Sequence, residues 1–182
     1  MKKLFLAFVM AVISLSVSAQ CYIGGSFGLD RNTDENTTNF TISPEVGYNL
    51  NSKWAVGGVL GYVHNYNQGL SVNAFAINPY ARFTYFRSAN NLVNLFVDGG
   101  FDVAFGKARY DGESLDETII PFNIGFKPGV AFNLTEKFTL VAHFGFLGYS
   151  GGNDDAKDAG YTEHFGFDFS SMNLNIGFYI NF

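Results

Sequence analysis

The sequence predicts an all-β protein, built as an eight-stranded antiparallel up-and-down barrel. Three observations support this fold class. Apolar and polar residues alternate along most of the chain after residue 20, which is the period of a strand with two unlike faces. No segment of that part keeps the roughly 3.6-residue period of an amphipathic helix. The connections between the alternating segments are mostly short and long in turn, as in strands that run back and forth between two rims.

The alternation is clearest in the segment 40–50, where every even-numbered residue is apolar and every odd-numbered residue is polar or glycine. The segments 93–106, 120–134 and 172–182 alternate in the same way. Four weaker segments are compatible with the pattern and bring the number of strands to eight. In chain order, the predicted strands are 21–30, 40–50, 54–65, 71–86, 93–106, 120–134, 138–149 and 172–182.

The apolar faces of these strands are too bulky for the inside of such a barrel. The chain holds 21 Phe and 10 Tyr, whereas the interior of an eight-stranded barrel has room only for side chains or one small ligand. Turned outward, these residues form the apolar band and aromatic girdles that a bilayer accepts. A closed sheet also leaves no unpaired backbone edge in lipid. We therefore predict a transmembrane β-barrel whose polar face is enclosed.

Residues 1–19 are predicted to be a secretory signal peptide, and residues 20–182 the barrel domain. Two lysines precede the apolar run 4–13, and small residues form a cleavage site before Gln20. The apolar run has about half of the ~20 residues that a spanning helix needs, which argues against an uncleaved anchor. A lipid-modified Cys21 is a further alternative, but Gln20 stands where that signal requires a small residue.

The chain is acidic and poor in charge. Its formal net charge is −5, and removal of the two signal lysines makes it −7 (−5 − 2). No basic patch follows a path that a phosphate backbone could take, so nucleic acid is not an expected partner. The single cysteine excludes an internal disulfide.

Six short motifs follow one another along essentially the whole mature chain. They are Tyr22-Ile23-Gly24-Gly25, Trp54-Ala55-Val56-Gly57-Gly58, Asn78-Pro79-Tyr80-Ala81-Arg82-Phe83, Phe96-Val97-Asp98-Gly99-Gly100, Lys127-Pro128-Gly129-Val130 and Phe178-Tyr179-Ile180-Asn181-Phe182. In this order the motifs resemble the small outer-membrane β-barrel family of the OmpA/OmpX type. The resemblance implies an integral protein of the Gram-negative outer membrane with no single activity. It also implies that the barrel-assembly machinery recognises Phe178, Ile180 and Phe182.

The lengths of the connections predict how the barrel is oriented. The short connections are 51–53, 87–91 and 135–137, and they carry Lys53, Arg87 and Lys137. The longer ones are 31–39, 66–70, 107–118 and 150–164, and they carry most of the acids: Asp34, Glu35, Asp111, Glu113, Asp116, Glu117, Asp154, Asp155, Asp158 and Glu163. Short turns belong to the periplasmic rim and long loops to the outside. An even number of strands then leaves both termini periplasmic.

Charged residues on the predicted inner face are the main candidate site. They are Glu45, Arg82, Asp98, Asp102 and Lys127, with His143 on the same face. Arg82 and Asp98 belong to adjacent strands of one hairpin, and Glu45 lies at a similar depth. An unpaired charge in a narrow interior is costly, so we expect opposite charges at one level to pair. This network either fastens the barrel or gates a pore, and the first interpretation is favoured because such interiors are normally filled by side chains.

The sequence predicts no catalytic, cofactor-binding or metal site. Nucleophilic catalysis needs a base within reach of an activated hydroxyl, but none of His64, His143 and His164 has a serine two residues away. We expect His64 and His164 in or beside solvated loops, and His143 as a satisfied residue of the lumen. The acidic segment 154–158 could collect Ca²⁺ loosely, although no regular ligand spacing supports this.

Three functional hypotheses follow. The favoured one is a non-catalytic integral outer-membrane barrel with a structural or surface-interaction role through its extracellular loops. The second is a narrow diffusion pore for small solutes, and the third is a soluble periplasmic ligand carrier. Expected partners are outer-membrane lipid and lipopolysaccharide, the barrel-assembly machinery and an extracellular partner of the loops. The protein is expected to be a monomer that needs no cofactor.

Overall fold

The structure is a computed structural model of the chain. It describes residues 20–33, 36–67, 69–110, 113–158, 161–169 and 174–182. The predicted signal peptide, residues 1–19, lies outside the described residues, so its cleavage stays a prediction. No helix in the described ranges is long and apolar enough to cross a membrane.

Strands make up nearly all of the described chain. In chain order the elements are β1 (Cys21–Asn32), β2 (Thr37–Asn49), β3 (Trp54–Asn67), β4 (Leu70–Arg87), β5 (Val93–Tyr110), β6 (Glu113–Ile119), β7 (Pro121–Asn133), β8 (Phe138–His143), β9 (Phe146–Gly152), α1 (Asp154–Asp158), β10 (His164–Asp168) and β11 (Asn175–Asn181). The pairings between these strands are antiparallel.

These segments form the eight barrel strands that the sequence predicts. Each of β1 to β5 is one barrel strand, β6 and β7 form the sixth, β8 and β9 the seventh, and β10 and β11 the eighth. The barrel closes because β1 pairs with β11, from Tyr22 opposite Asn181 to Gly25 opposite Phe178. A closed, eight-stranded antiparallel barrel is therefore confirmed.

The strands extend further than predicted on the rim of the long connections. The predicted connection 107–118 is largely strand, because β5 continues to Tyr110 and pairs with β6. The last barrel strand begins at His164 instead of residue 172, and residues 170–173 lie outside the described part. The prediction was wrong because it took polar residues and glycine as loop signals, whereas ladder hydrogen bonds join backbone groups whatever the side chain.

The apolar and polar faces point as the sequence predicts. On β7, Ile124 and Phe126 are each 54% exposed. On β11, Phe178 is 39% exposed, whereas the next residue, Tyr179, is 4% exposed. The Phe-rich face is therefore the exterior of the barrel, and the polar face encloses the lumen.

Candidate functional site

Arg82 on β4 occupies the centre of the lumen and forms an ion pair with Asp98 on β5. Its Nε and Nη2 donate to the two carboxylate oxygens of Asp98, each over 2.7 Å. The two residues are direct cross-strand partners, which brings the guanidinium opposite the carboxylate. Both side chains are buried. This bidentate geometry is the strongest form of a charge-assisted hydrogen bond.

Glu45 on β2 lies beside this pair, but tyrosine hydroxyls hold its carboxylate. Tyr179 donates to Glu45 Oε1 over 2.8 Å, and Tyr80 donates to the same oxygen. Arg82 Nη2 lies 3.8 Å from that oxygen, which is too long for a hydrogen bond. Arg82 Nη2 also donates to Tyr179 Oη over 3.0 Å, and Tyr22 Oη lies 2.6 Å from Tyr80 Oη. The tyrosines thus join the two carboxylates into one hydrogen-bonded cluster.

Four aromatic rings surround the guanidinium of Arg82. Its Cζ lies 3.9 Å from the ring centroid of Phe96, 5.3 Å from those of Tyr80 and Tyr179, and 5.9 Å from that of Tyr22. An aromatic ring attracts a cation at such distances. The buried charge is therefore stabilised by hydrogen-bond acceptors and by aromatic rings together.

Each of these rings lies against a glycine of the neighbouring strand. The pairs are Tyr22 with Gly47, Tyr80 with Gly57, Tyr179 with Gly24 and Phe96 with Gly129, and all four are direct cross-strand partners. A Cβ added at Gly57 would lie 2.5 Å from Tyr80 Oη, and one added at Gly129 would lie 2.6 Å from Phe96 Cε2. Glycine is therefore required for the rings to lie where they do.

A second ion pair lies nearer the rim of the long connections. Lys127 Nζ is 2.7 Å from Asp102 Oδ2, and the two side chains are 36% and 22% exposed. Asn78 Nδ2 donates to the other oxygen of Asp102. Asp98 is the cross-strand partner of Lys127, but its oxygens already accept from Arg82. The five predicted lumenal charges therefore fall into a buried group and a half-solvated pair.

The three histidines have different surroundings. His143 Nε2 lies 2.8 Å from Asp98 Oδ2 in the lumen. His64 lies near the end of β3, which ends at Asn67, with Nδ1 2.8 Å from Asn73 Oδ1. His164 is exposed at the start of β10. In the described ranges, no group of three or more His, Cys, Asp or Glu side chains could hold a metal ion.

Seven buried residues, here called the Arg82 layer, divide the lumen. They are Tyr22, Glu45, Tyr80, Arg82, Phe96, Asp98 and Tyr179, each 9% exposed or less. Above the layer, towards the long connections, lies a cavity of about 580 Å³ that Lys127 and His143 help to line. Below it lies a cavity of about 460 Å³, lined by amides such as Asn51 and Asn94. Tyr179 borders both cavities.

The alternation in the segment 172–182 predicts that Tyr179 is enclosed, but the other aromatic members of the Arg82 layer were missed, because the candidate site named only charged residues. A signal for two of them is present in the sequence. Tyr80 stands two residues before Arg82, and Phe96 stands two residues before Asp98. Residues two apart in a strand share a face, so each ring could have been assigned to the lumen.

The predicted assembly-signal positions lie at the end of the last barrel strand. Phe178 and Ile180 are on its outer face, 39% and 43% exposed. Phe182 follows β11, and its backbone N–H donates to the carbonyl of Cys21 over 3.0 Å. These three side chains therefore lie on the outer surface or at its lower edge, next to the junction of β1 and β11.

The acidic rim of the long connections is only partly described. Asp34, Glu35 and Asp111 lie outside the described residues, as do the side chains of 113–117. Lys157, in α1, lies 2.8 Å from Glu163. The hydrogen bond and positive charge of Lys157 lower the pKa of the Glu163 carboxyl.

Comparisons with known proteins find two solved structures to report. Among solved structures, the chain is similar to Neisserial surface protein A (NspA), with 14% identity, a TM-score of 0.52, and coverage of 91% of this chain and 98% of that chain. It is also similar to the outer membrane protein OprG from Pseudomonas aeruginosa, with 12% identity, a TM-score of 0.43, and coverage of 90% and 92%. The likeness to NspA shows the fold alone.

The family relationship comes from the sequence. A comparison with proteins of curated function finds no match. A family model described as "Outer membrane protein beta-barrel domain" matches residues 4–179. Because this match covers most of the chain, and because the structure is a closed eight-stranded barrel with an apolar exterior, the chain belongs to the outer-membrane protein β-barrel family.

Proposed function

We propose that this protein is a non-conducting outer-membrane barrel with a structural or surface-interaction role through its extracellular loops. The Arg82 layer is the observation that carries this proposal. A buried, hydrogen-bonded layer lies between two cavities, and this supports a lumen that does not conduct solutes. The surfaces available for a function are then the outer wall and the two rims.

The proposed orientation has the long connections outside and both termini in the periplasm. The support is the asymmetry of the rims, because short turns on one side and longer hairpins on the other are typical of these barrels. An epitope inserted after Asp158 should be reached by antibody on intact cells. An epitope inserted in the turn 135–137 should be reached only after the outer membrane is opened, and the reverse result would overturn the orientation.

The extracellular partner is proposed to meet the loops that carry the acidic residues. Negative charge there could attract a basic partner or divalent cations that bridge lipopolysaccharide. Loops on a rigid scaffold are also the usual carriers of binding residues. We expect no catalytic role, since in the described chain the histidines contact Asp98, Asn73 and the Thr162 carbonyl instead of a serine hydroxyl.

Assembly is proposed to proceed through the barrel-assembly machinery, with Phe178, Ile180 and Phe182 as the recognised positions, and to give a monomer. Replacing Phe182 with Ala should reduce the amount of folded barrel in the outer membrane. Phe86, 49% exposed near the end of β4, offers a matched Phe→Ala control outside the signal. Equal loss in both variants would contradict a specific role for Phe182.

A narrow diffusion pore is the alternative function. The observation that favours it is Glu45, whose Oε1 lies 3.8 Å from Arg82 Nη2 and could accept the guanidinium if the Asp98 bond broke. Breaking that bond would leave buried Asp98 with the His143 contact in place of a bidentate ion pair, which is costly. The closed layer is therefore the favoured state.

Conductance measurements in planar lipid bilayers separate the two functions. We expect wild-type barrel to show no unitary current steps under conditions in which an open porin conducts. Reproducible steps from the wild-type protein would overturn the proposal and favour the pore.

A further inference from the structure

The outer wall of β3, β4 and β5 carries a group of polar and cationic side chains, here called the outer polar patch. Cross-strand pairing aligns its members in two rows: His64, Asn73 and Lys107, and above them Tyr66, Ser71 and Arg109. Lys107 and Arg109 are exposed, whereas Gly106 and Ala108, which alternate with them, are buried. The two cationic side chains therefore point away from the barrel.

The patch lies at the upper edge of the apolar band. Trp54, 46% exposed, marks the start of β3, and His64 follows ten residues later. At about 3.3 Å per residue and a strand tilt of roughly 40°, that distance spans about 25 Å, the height of the band in such barrels. Directly below the patch, the cross-strand partners Phe75 and Phe105 are 64% and 47% exposed. The patch is thus at headgroup level, above side chains that face the hydrocarbon.

Hydrogen bonds hold the imidazole and amide of the patch in place, and its two cationic side chains are exposed. Tyr62 Oη donates to Asn73 Oδ1 over 2.9 Å, and His64 Nδ1 lies 2.8 Å from the same oxygen. These two contacts to its oxygen fix the orientation of the Asn73 amide. Among the side chains that the structure describes, none of the ion pairs involves Lys107 or Arg109.

We propose that the outer polar patch binds a phosphate group of the phosphorylated glycolipid in the outer leaflet. Arginine and lysine beside amide and hydroxyl donors form the chemistry that recognises a phosphate. The position of the patch identifies the source of the phosphate, because a phosphate at this level belongs to a lipid whose acyl chains lie along Phe75 and Phe105. This inference rests on the proposed orientation, because that orientation puts the patch in the outer leaflet. It does not depend on whether the lumen is closed, so a conductance measurement does not test it.

Native mass spectrometry tests the proposal. It measures the binding of diphosphoryl lipid A to the folded barrel in micelles of an uncharged detergent. The variant Lys107→Gln/Arg109→Gln should raise the apparent Kd by at least about tenfold, because each cation near a charged lipid surface contributes appreciably. The variant Lys53→Gln/Lys137→Gln removes the same charge from the opposite rim and should bind like wild type. Heat-modifiable gel migration checks that both variants are folded.

A second measurement needs no variant. Wild-type barrel should bind dephosphorylated lipid A at least about tenfold more weakly than the diphosphoryl form, because the proposed contacts are made to phosphate. Equal affinity for the two lipids would overturn the proposal. So would equal affinity of the patch variant and the opposite-rim variant for diphosphoryl lipid A.

Discussion

Glu45 and Tyr179 reach each other across Gly24. Gly24 on β1 is the direct cross-strand partner of Glu45 on β2 and of Tyr179 on β11. Because Gly24 has no side chain, the hydroxyl of Tyr179 can donate to Glu45 over 2.8 Å, although the two residues are 134 positions apart in the sequence. This hydrogen bond of the Arg82 layer therefore spans β1, the strand whose pairing with β11 closes the barrel.

Replacing Gly24 with Ala should destabilise the barrel. The added Cβ would lie 2.6 Å from Tyr179 Cδ1 and would overlap the backbone of Phe178. Such overpacking lowers the free energy of unfolding by about 1–3 kcal/mol or more, measurable by urea titration of the barrel in lipid vesicles. Gly28→Ala on the same strand is the control, because nothing lies within 4 Å of its added Cβ. Equal stability of the two variants would contradict the crowding at Gly24.

Removing one hydroxyl from the Arg82 layer should destabilise the buried carboxylate of Glu45. Tyr179→Phe keeps the ring against Gly24 but removes the donor to a buried carboxylate. A hydrogen bond to a charged group contributes about 1.5–3 kcal/mol, so the free energy of unfolding should fall by about that amount. Tyr85→Phe, at a ring that is 56% exposed, should change it by less than about 0.5 kcal/mol. A Tyr179→Phe variant as stable as Tyr85→Phe would count against the hydrogen bond.

Arg82→Ala should be the most damaging single change in the lumen. It leaves Asp98 and Glu45 buried without their cation, and removing one partner of a buried pair costs about 3–5 kcal/mol. The thermal unfolding temperature in detergent should fall clearly below that of wild type. Arg87→Ala, at the lower rim, makes the same replacement in an exposed side chain and should leave the melting curve nearly unchanged. An unaltered melting curve for Arg82→Ala would refute the central role of this residue.

Lys127→Ala should cost much less than Arg82→Ala. The pair of Lys127 and Asp102 is about one-third and one-fifth exposed, so water can replace the lost partner, and solvated ion pairs contribute about 1 kcal/mol or less. The same urea titration should therefore rank Arg82→Ala well below Lys127→Ala in stability. Lys127→Ala should also leave the barrel non-conducting, because the residue lies above the Arg82 layer. A reversed ranking would mean that the pair of Lys127 and Asp102 stabilises the barrel more than Arg82 does.

The sequence determines which face of each strand is enclosed. Side chains of a strand alternate between two faces, so if the apolar face must be the exterior, the polar face must be enclosed. It also brings Arg82 and Asp98 together, since they belong to neighbouring strands joined by a short turn. The contact between Glu45 and Tyr179 could not be predicted in this way. It depends on the register between the first and last barrel strands, which no turn sets and which only the closed structure reveals.

The ion pair of Lys127 shows the same limit of prediction from sequence, because two acids are candidate partners. Its place on the inner face is clear from the alternation in β7, and either Asp98 or Asp102 lies within reach of such a side chain. The structure pairs it with Asp102, because Arg82 takes both oxygens of Asp98. That competition between side chains from three strands is a property of the assembled lumen.

Quenching of a fluorophore attached to single cysteines tests the central claim most directly, namely that the apolar face meets lipid and the polar face is enclosed. In a Cys21→Ala background, a label at Ile124→Cys should be quenched by a lipid-soluble quencher in vesicles. A label at the adjacent Asn123→Cys, which lines the upper cavity, should respond only to a water-soluble quencher. Lipid quenching at position 123 together with its absence at position 124 would contradict the account.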